Sequence, residues 1–327
     1  MNLVTRGLMW MMFRKRRPVA EYRPTMERLD RAQQQALPAG LRQEDVEGPI
    51  AGRWLRHEQA RNAQTLLYIH GGAFTFRMPH GHTAMLARIC AQAQCSAFMP
   101  WYRLAPEHPY PAAPQDCLAA YRALLAAGHQ PADIVVMGDS AGGNLALALL
   151  HLIKRERLPM PSGVIALSPV TDSAQISASW RLNKGRDPAY IAQGAVNPAA
   201  WYFKGQNPLD PIISPYYGDF SGFPPLYFIV GSIEALLDDS VGMVRKAVDQ
   251  GIPAKVHIWV GMQHVFMLLE QLPETRHARA RVVEWLRELS EPLDSVRSDC
   301  LYQNCVEVLN LSALTGDVAI ETNDLNA

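Results

Sequence analysis

The chain lacks the charge excess, the paired cysteines and the long apolar runs that mark several common protein classes. Its 327 residues include 31 basic and 31 acidic side chains, so no overall field favours nucleic acid or an anionic membrane. Its five cysteines form no C-x-x-C pair and have no histidine at zinc-ligand spacing. We therefore expect reduced thiols, a cytoplasmic location, and no partner of the nucleic-acid class.

One apolar run stands near the N-terminus, at residues 8–13, and a basic cluster follows it at residues 14–17. The run is too short to span a bilayer, and a secretory signal would carry its positive charges in front. We predict a cap helix that covers a substrate site, without integral membrane association. Shallow membrane contact through this face and a disordered start are the alternatives.

Residues 138–142 read GDSAG, which has the G-x-S-x-G form of a nucleophile elbow. The apolar run at 133–137 predicts a strand before it, and residues 144–157 predict a buried helix after it. A strand, a tight turn and a helix are the context that such an elbow requires. This context favours Ser140 as a nucleophile over a Gly-Ser turn without chemistry.

A glycine-rich turn, HGGAF at residues 70–74, follows another strand-like run at 65–69. Backbone N–H groups can stand exposed in such a turn and face a developing oxyanion. A nucleophile or a glycine loop alone would mean little. Together they indicate acyl transfer.

Strand-like runs alternate with helical patterns from about residue 50 to 290, which predicts an α/β fold with a mostly parallel central sheet flanked by helices. In such sheets the chemistry lies beyond the carboxyl ends of the strands. The predicted strands are 65–69, 96–101, 133–137, 163–167, 226–230 and 254–259, and the predicted helices are 82–93, 115–127, 144–157, 238–250 and 273–290.

We divide the chain into an N-terminal cap segment at 1–45, a catalytic domain at 46–290 and a partly disordered tail without assigned role at 291–327. Within the domain, residues 170–224 are too long for an ordinary connection and predict a cap insert. Its aromatic residues would line an acyl pocket; the alternative is an excursion with a small core of its own. The aromatic residues are Trp180, Tyr190, Trp201, Tyr202 and Phe203.

A serine nucleophile needs a histidine base, which an acid must orient. His257 lies inside a predicted strand and His277 in a charged helix, whereas His264 follows a strand's carboxyl end, so we predict His264 as the base. For the acid, Glu234 lies in the loop after the strand at 226–230. Asp238, the alternative, looks more like part of the acidic first turn of the next helix.

These motifs resemble the bacterial branch of the hormone-sensitive-lipase-like family of α/β-hydrolase esterases. The matching segments are residues 70–74, 102–109, 138–144, 168–169 and 261–266. The resemblance implies an α/β-hydrolase fold with a helical cap, Ser140 as nucleophile and His264 as base. It also implies an oxyanion hole from the backbone N–H groups of Gly71, Gly72 and Ala141, and self-association into a homodimer through an edge strand at 254–259.

The chain departs from the family pattern at two positions. Ala73 stands where a third glycine is common, and Glu234 stands where the acid is usually aspartate. Residues 102–109 we interpret as scaffold, with an ion pair between Arg103 and Glu107. His80 and His82, near the glycine loop, we expect on the surface or in a pocket wall.

The sequence thus predicts a serine carboxylesterase that hydrolyses short-chain acyl esters of small molecules through an acyl-enzyme. Neither a metal nor an organic cofactor is needed for that chemistry. A dedicated deacetylase or lactone hydrolase is the alternative within enzymes, because only pocket shape separates these activities. A ligand receptor that keeps the pocket and has lost turnover is the alternative outside them.

Overall fold

A nine-stranded sheet forms the centre of the molecule. The structure is a computed structural model and describes residues 18–58, 60, 64–188, 201–290 and 306–309. In spatial order the strands run β1-β2-β4-β3-β5-β6-β7-β8-β9. Their bounds are Leu41–Val46 (β1), Gly52–His57 (β2), Thr65–Ile69 (β3), Ser96–Pro100 (β4), Ile134–Asp139 (β5), Gly163–Leu167 (β6), Leu226–Gly231 (β7), Ala254–Trp259 (β8) and Val306–Leu309 (β9).

Two antiparallel pairs, β1 with β2 and β2 with β4, lie at one side of the sheet, and every other pair is parallel. The predicted mostly parallel sheet is confirmed. The helices of the described residues are Val19–Arg31 (α1), Pro79–Ala93 (α2), Ala112–Ala126 (α3), Ala141–Arg155 (α4), Ser179–Leu182 (α5), Leu237–Asp249 (α6) and Pro273–Ser290 (α7), with 3-10 turns at Pro131–Asp133, Pro215–Tyr217 and Phe266–Leu268.

Apolar layers cover both faces of the sheet, which is why its central strands are apolar throughout. Successive residues of a strand point to opposite faces. Val136 therefore packs in the layer that contains α3, α4 and α6, whereas Val135 packs in the layer that contains α2 and α7. The two layers hold the strand ends, and the loops that follow them, in fixed positions.

The predicted strands and helices between residues 65 and 290 are present, with ends that differ by up to three residues. β1 and β2 were not predicted. Only Leu41 of β1 is buried, so this polar edge strand carries no apolar alternation. β1 also extends the sheet into the segment that the sequence assigned to the N-terminal cap at 1–45.

The tail contributes β9, which pairs with β8 in parallel register from Val256↔Val306 to Trp259↔Leu309. The ring nitrogen Nε2 of His257 lies 2.9 Å from a carboxylate oxygen of Glu307. The expectation that β8 is a free edge strand, available for dimerisation, was therefore wrong. The sequence assigned no role to the tail, and these four of its residues form the last strand of the sheet.

The N-terminal helix α1 packs against the glycine-rich loop and the insert. Val19 and Tyr22 form a small cluster with Phe76, against which Ala73 and Trp201 also pack. Residues 1–17 and 189–200, including the apolar run, the basic cluster and Tyr190, lie outside the described residues. Among the helices of the described residues, none has the length and apolar character needed to cross a membrane.

Candidate active site

The turn between β5 and α4 presents Ser140. Its backbone has φ 53° and ψ −118°, in a region that residues other than glycine rarely adopt. Such a conformation costs about 1–3 kcal/mol and persists where the surroundings enforce it. One enforcing contact is at Gly142, where an added Cβ would collide with the carbonyl oxygen of Ile69. Close packing of strand and helix thus holds the serine at the carboxyl edge of the sheet.

Loops after β7 and β8 bring Glu234 and His264 to the serine. His264 Nε2 lies 2.9 Å from Ser140 Oγ, and His264 Nδ1 lies 3.1 Å from Glu234 Oε2. With Nδ1–H donating to the carboxylate, Nε2 is left to accept from the hydroxyl. This is the order of contacts that lets a histidine remove a serine proton.

Glu234 is fully buried, and two donors fix its second oxygen. Oε1 accepts from the Ser168 hydroxyl at 2.8 Å and from the Gly231 N–H at 2.6 Å. Burial raises the pKa of Glu234, against the effect of His264 and the Gly231 N–H. Burial alone would lower the pKa of His264, but the hydrogen bond and charge of Glu234 outweigh it and raise that pKa above 6.5.

The alternative acid, Asp238, does not contact His264. Its carboxylate accepts the backbone N–H of Ser179 at 2.8 Å, in the insert. The neighbouring Asp239 accepts the Thr171 N–H at 2.7 Å and the Trp180 ring N–H at 3.2 Å. Both carboxylates at the start of α6 therefore fasten the insert to the catalytic domain.

The other two histidines considered as bases lie away from the serine. His257 is buried in β8, where Nδ1 lies 2.7 Å from the Tyr227 hydroxyl. His277 is exposed on α7. The structure thus places them on the sheet and at the surface, as the sequence predicted.

The glycine-rich loop differs from the expectation in one donor. The Gly71 N–H donates to Asp139 Oδ1 at 2.7 Å, so its assignment to the oxyanion hole was wrong. The loop continues with positive φ at Gly72 (117°) and Ala73 (53°). Within the described residues, the backbone N–H groups of Gly72, Ala73 and Ala141 donate to no protein acceptor.

His70 fixes the direction of one of these donors. Burial lowers its pKa to about 3, so the ring is neutral, and Nδ1–H donates to the Gly71 carbonyl at 2.7 Å. That carbonyl and the Gly72 N–H belong to the same trans peptide and point in opposite directions. Holding the Gly71 oxygen therefore aims the Gly72 N–H away from His70.

Sequence reasoning missed the role of Ser168, which joins the acid and base loops. Besides the bond to Glu234, its Oγ accepts the Val265 N–H at 3.2 Å. Val265 has φ 47°, an outlier for a β-branched residue, directly after His264. The only sequence signal was the Ser-Pro pair at residues 168–169, which carries no indication of these partners.

The role of Arg23 in α1 was also not predicted from the sequence. Its guanidinium donates to the Thr75 carbonyl at 3.2 Å and to the Ala105 carbonyl at 2.9 Å, and pairs with Glu107 at 2.7 Å. The expected ion pair between Arg103 and Glu107 was therefore wrong. Arg103 points toward α3 and pairs with Asp116 at 2.8 Å.

His82 was expected on the surface or in a pocket wall, and this too was wrong. The side chain is completely buried, and its Nε2 lies 3.2 Å from Asp139, the residue before the serine. His80 is half-buried, and its N–H donates to Asp30.

The insert's aromatic residues pack in cores more than they line a pocket. Tyr202 stacks on Phe74 at 4.1 Å between ring centroids, and Phe203 lies beside it. Trp180 packs with Ala235 and Leu236. For these three residues the structure agrees with the alternative interpretation, in which the insert carries packing residues. Among the described residues, no cluster of three or more histidine, cysteine or acidic side chains could hold a metal.

Comparison with known proteins gives consistent relatives. A family model described as the alpha/beta hydrolase fold matches residues 66–268. An acetyl-hydrolase of Streptomyces hygroscopicus is 34% identical over 261 residues, which cover 79% of this chain and 87% of the acetyl-hydrolase. The crystal structure of an esterase from the bacterial hormone-sensitive lipase family superposes with a TM-score of 0.80 at 34% identity, covering 89% of this chain and all of the other. The crystal structure of EstE5, soaked with p-nitrophenyl butyrate, superposes with a TM-score of 0.78 at 33% identity, covering 86% of this chain and 97% of EstE5.

Proposed function

Because this chain belongs to the hormone-sensitive-lipase branch of the α/β-hydrolase family and is a serine carboxylesterase, we propose that it hydrolyses short-chain acyl esters through an acyl-enzyme on Ser140. The observation that carries the proposal is the pair of hydrogen bonds at His264, 2.9 Å to Ser140 and 3.1 Å to Glu234. A nucleophile, a base and an orienting acid thus follow one another within hydrogen-bonding distance.

In the first half-reaction, His264 Nε2 takes the proton of Ser140 as Oγ attacks the ester carbonyl carbon. Glu234 stabilises the imidazolium that forms. The tetrahedral intermediate collapses as His264 gives the proton to the leaving alcohol. In the second half-reaction, water replaces the alcohol and attacks the acyl carbonyl while His264 removes its proton. The bond from the acyl carbon to Oγ then breaks as His264 returns the proton to Ser140, which releases the carboxylic acid and the free serine.

The negative oxygen of each tetrahedral intermediate accepts from the backbone N–H groups of Gly72, Ala73 and Ala141. Ala73 replaces Gly71 in this proposal, because the Gly71 N–H already donates to Asp139. Each well-placed donor contributes about 3 kcal/mol to transition-state stabilisation.

Two relatives support short acyl groups. One is named an acetyl-hydrolase, and the other was soaked with a butyrate ester. The acetyl-hydrolase also favours a second candidate, a deacetylase dedicated to one metabolite. The receptor alternative required the loss of a triad member, whereas Ser140, Glu234 and His264 are all present and in contact.

Hydrolysis of p-nitrophenyl esters from acetate to palmitate, by wild type and Ser140→Ala, tests the function. We expect turnover to peak between acetate and hexanoate and to vanish in the variant. Weak wild-type turnover on every chain length, by folded protein, would favour the dedicated deacetylase. Turnover that survives Ser140→Ala would contradict the mechanism.

We also propose a cytoplasmic location. Cys90, Cys95 and Cys117 are buried free thiols, which suits a reducing compartment. Fractionation of cells that express the full chain tests this, since recovery with a periplasmic rather than a cytosolic marker would contradict it.

A further inference from the structure

Both ring nitrogens of His82 face hydrogen-bond acceptors. Nδ1 lies 2.8 Å from the Met78 carbonyl, and Nε2 lies 3.2 Å from the Asp139 carboxylate. A carbonyl oxygen can only accept, so Nδ1 must carry a proton. A neutral ring would then turn a lone pair at Nε2 toward a carboxylate. If Asp139 is ionised, only the imidazolium, with a proton on each nitrogen, satisfies both contacts.

The ionised Asp139 carboxylate, in turn, accepts hydrogen bonds and donates none. Oδ1 accepts from the Tyr68 hydroxyl at 2.6 Å and from the Gly71 N–H at 2.7 Å. The side chain is 2% exposed, and a buried carboxylate is unfavourable unless a positive charge accompanies it. Within the described residues, His82 is the one cation in contact with it.

The directions of the two pKa shifts agree with this ion pair. Burial alone would lower the pKa of His82, and the charge and hydrogen bond of Asp139 reverse that effect and raise it. Burial alone would raise the pKa of Asp139, and His82, Tyr68 and Gly71 together lower it. The other titratable groups near His82 are Asp30, which adds to the rise, the neutral His70 and Tyr68.

The Asp139 carboxylate connects two parts of the site whose relative position matters, the nucleophile and the proposed oxyanion donors. Asp139 directly precedes Ser140, and its partner Gly71 directly precedes the proposed oxyanion donor Gly72. The fit is close: a Cβ on Gly71 would collide with the Asp139 carboxylate. With the Gly71 carbonyl held by His70, both hydrogen-bonding groups of Gly71 are fixed.

We propose that His82 is a positioning residue of the oxyanion hole, acting as an imidazolium that keeps the Asp139 carboxylate ionised and bonded to the Gly71 N–H. This inference rests on the proposed function, since it concerns donors that act on an ester's tetrahedral intermediate. Without the cation, the carboxylate loses its counter-charge, and the Gly71 contact that sets the direction of the next donors weakens. Transition-state binding then falls while substrate binding remains.

The charge state is tested in the wild-type enzyme by nitrogen-15 NMR of its histidine rings. We expect both nitrogens of His82 to remain protonated at pH 8, where an ordinary histidine is neutral. A neutral His82 tautomer at that pH would overturn the inference. This measurement does not depend on turnover, so its outcome is separate from that of the proposed function.

The positioning role is tested with His82→Gln, which can still donate one hydrogen bond to Asp139 but has no charge. We expect kcat to fall about tenfold or more and KM to change less than about twofold. Affinity for a boronic acid that mimics the tetrahedral intermediate should fall by the same factor as kcat/KM. An unchanged kcat and boronate affinity in folded His82→Gln would overturn the inference.

His257→Gln is the matched control. His257 is also a buried histidine that contacts a hydroxyl and a carboxylate, those of Tyr227 and Glu307, but it lies away from the serine. We expect this variant to lose stability while its boronate affinity stays the same. An equal loss of boronate affinity in the control would mean that any buried histidine has this effect, and would overturn the specific role of His82.

If His82→Gln does not fold, Asp139→Asn removes the same ion pair from the other side, and the same kinetic pattern is expected. Normal kcat in that variant would overturn the inference. Ser140→Ala separates the two proposals: if it retains turnover, the proposed function fails, whatever the charge on His82.

Discussion

At the scale of single residues, the site depends on partners that lie in neighbouring loops. Glu234 can replace the family's usual aspartate because the Gly231 N–H and the Ser168 hydroxyl hold one of its oxygens while the other reaches His264. The additional methylene is thus accommodated by a loop that turns back on itself over three residues. The chemistry of the carboxylate is unchanged.

These contacts distinguish the two candidate catalytic acids, Glu234 and Asp238, between which the sequence did not decide. Glu234→Gln should lower kcat by about a thousandfold or more, because the amide no longer stabilises the imidazolium. Asp238→Asn should cost about 1 kcal/mol of stability, since it weakens a backbone cap, and should leave most turnover. Steady-state kinetics on an acetate ester compares them. The reverse ranking in folded variants would show that Asp238 is the acid.

The raised pKa of His264 sets the acid side of the pH profile. The active form is the neutral imidazole, so kcat/KM should be lost as pH falls through a pKa above the ordinary value of 6.5. In Glu234→Gln the charge that raises this pKa is absent, and the acid limb should move to lower pH. An acid limb that stays in place in the variant would contradict the contact between Glu234 and His264.

At the scale of elements, the elbow depends on the close approach of α4 to β3. Gly142→Ala should destabilise the fold by about 3 kcal/mol or more, because the added methyl group meets backbone and cannot be relieved by a side-chain rotation. The matched control is Gly185→Ala, where the added Cβ meets no atom within 4 Å. Thermal denaturation of both variants decides the matter. Equal melting temperatures would contradict the described packing.

The short strand β9 should protect the edge of β8. An uncovered strand edge is a template for pairing with another chain. Deleting residues 291–327 removes the ladder to β8 and the contact between Glu307 and His257. We expect a lower melting temperature and self-association that grows with concentration, measured by light scattering after size exclusion. A truncated chain that melts and elutes like the full chain would contradict this role.

At the scale of the whole molecule, the sequence could predict what apolar periodicity and motif spacing encode. The parallel strands are apolar on both faces, so their positions along the chain and the loops after them could be inferred, and with them the places of Ser140 and His264. The sequence could not predict the polar strand β1, the four-residue strand β9, or the partners of His82, Arg23 and Ser168. These depend on contacts between residues far apart in the chain, such as Arg23 with Glu107, and no local pattern records them.

The glycine-rich loop shows the same limit of sequence-based prediction at a single backbone nitrogen, that of Gly71. The spacing of residues 70–74 indicated a loop with free N–H groups, but not which of them were already bonded. Only the position of Asp139 showed that the Gly71 N–H is occupied and that Ala73 is the remaining candidate. The hydrogen bond of one backbone N–H thus changed the assigned oxyanion donors, while the predicted reaction class stayed the same.

The most direct test of the acyl-enzyme on Ser140 is to trap it. Wild-type enzyme mixed with p-nitrophenyl acetate, quenched in acid during turnover and digested, should give an acetylated peptide that contains Ser140, visible by mass spectrometry. Ser140→Ala, treated in parallel, should give none. An acetyl group on another residue, or rapid turnover with no covalent adduct in the wild type, would contradict the proposed mechanism.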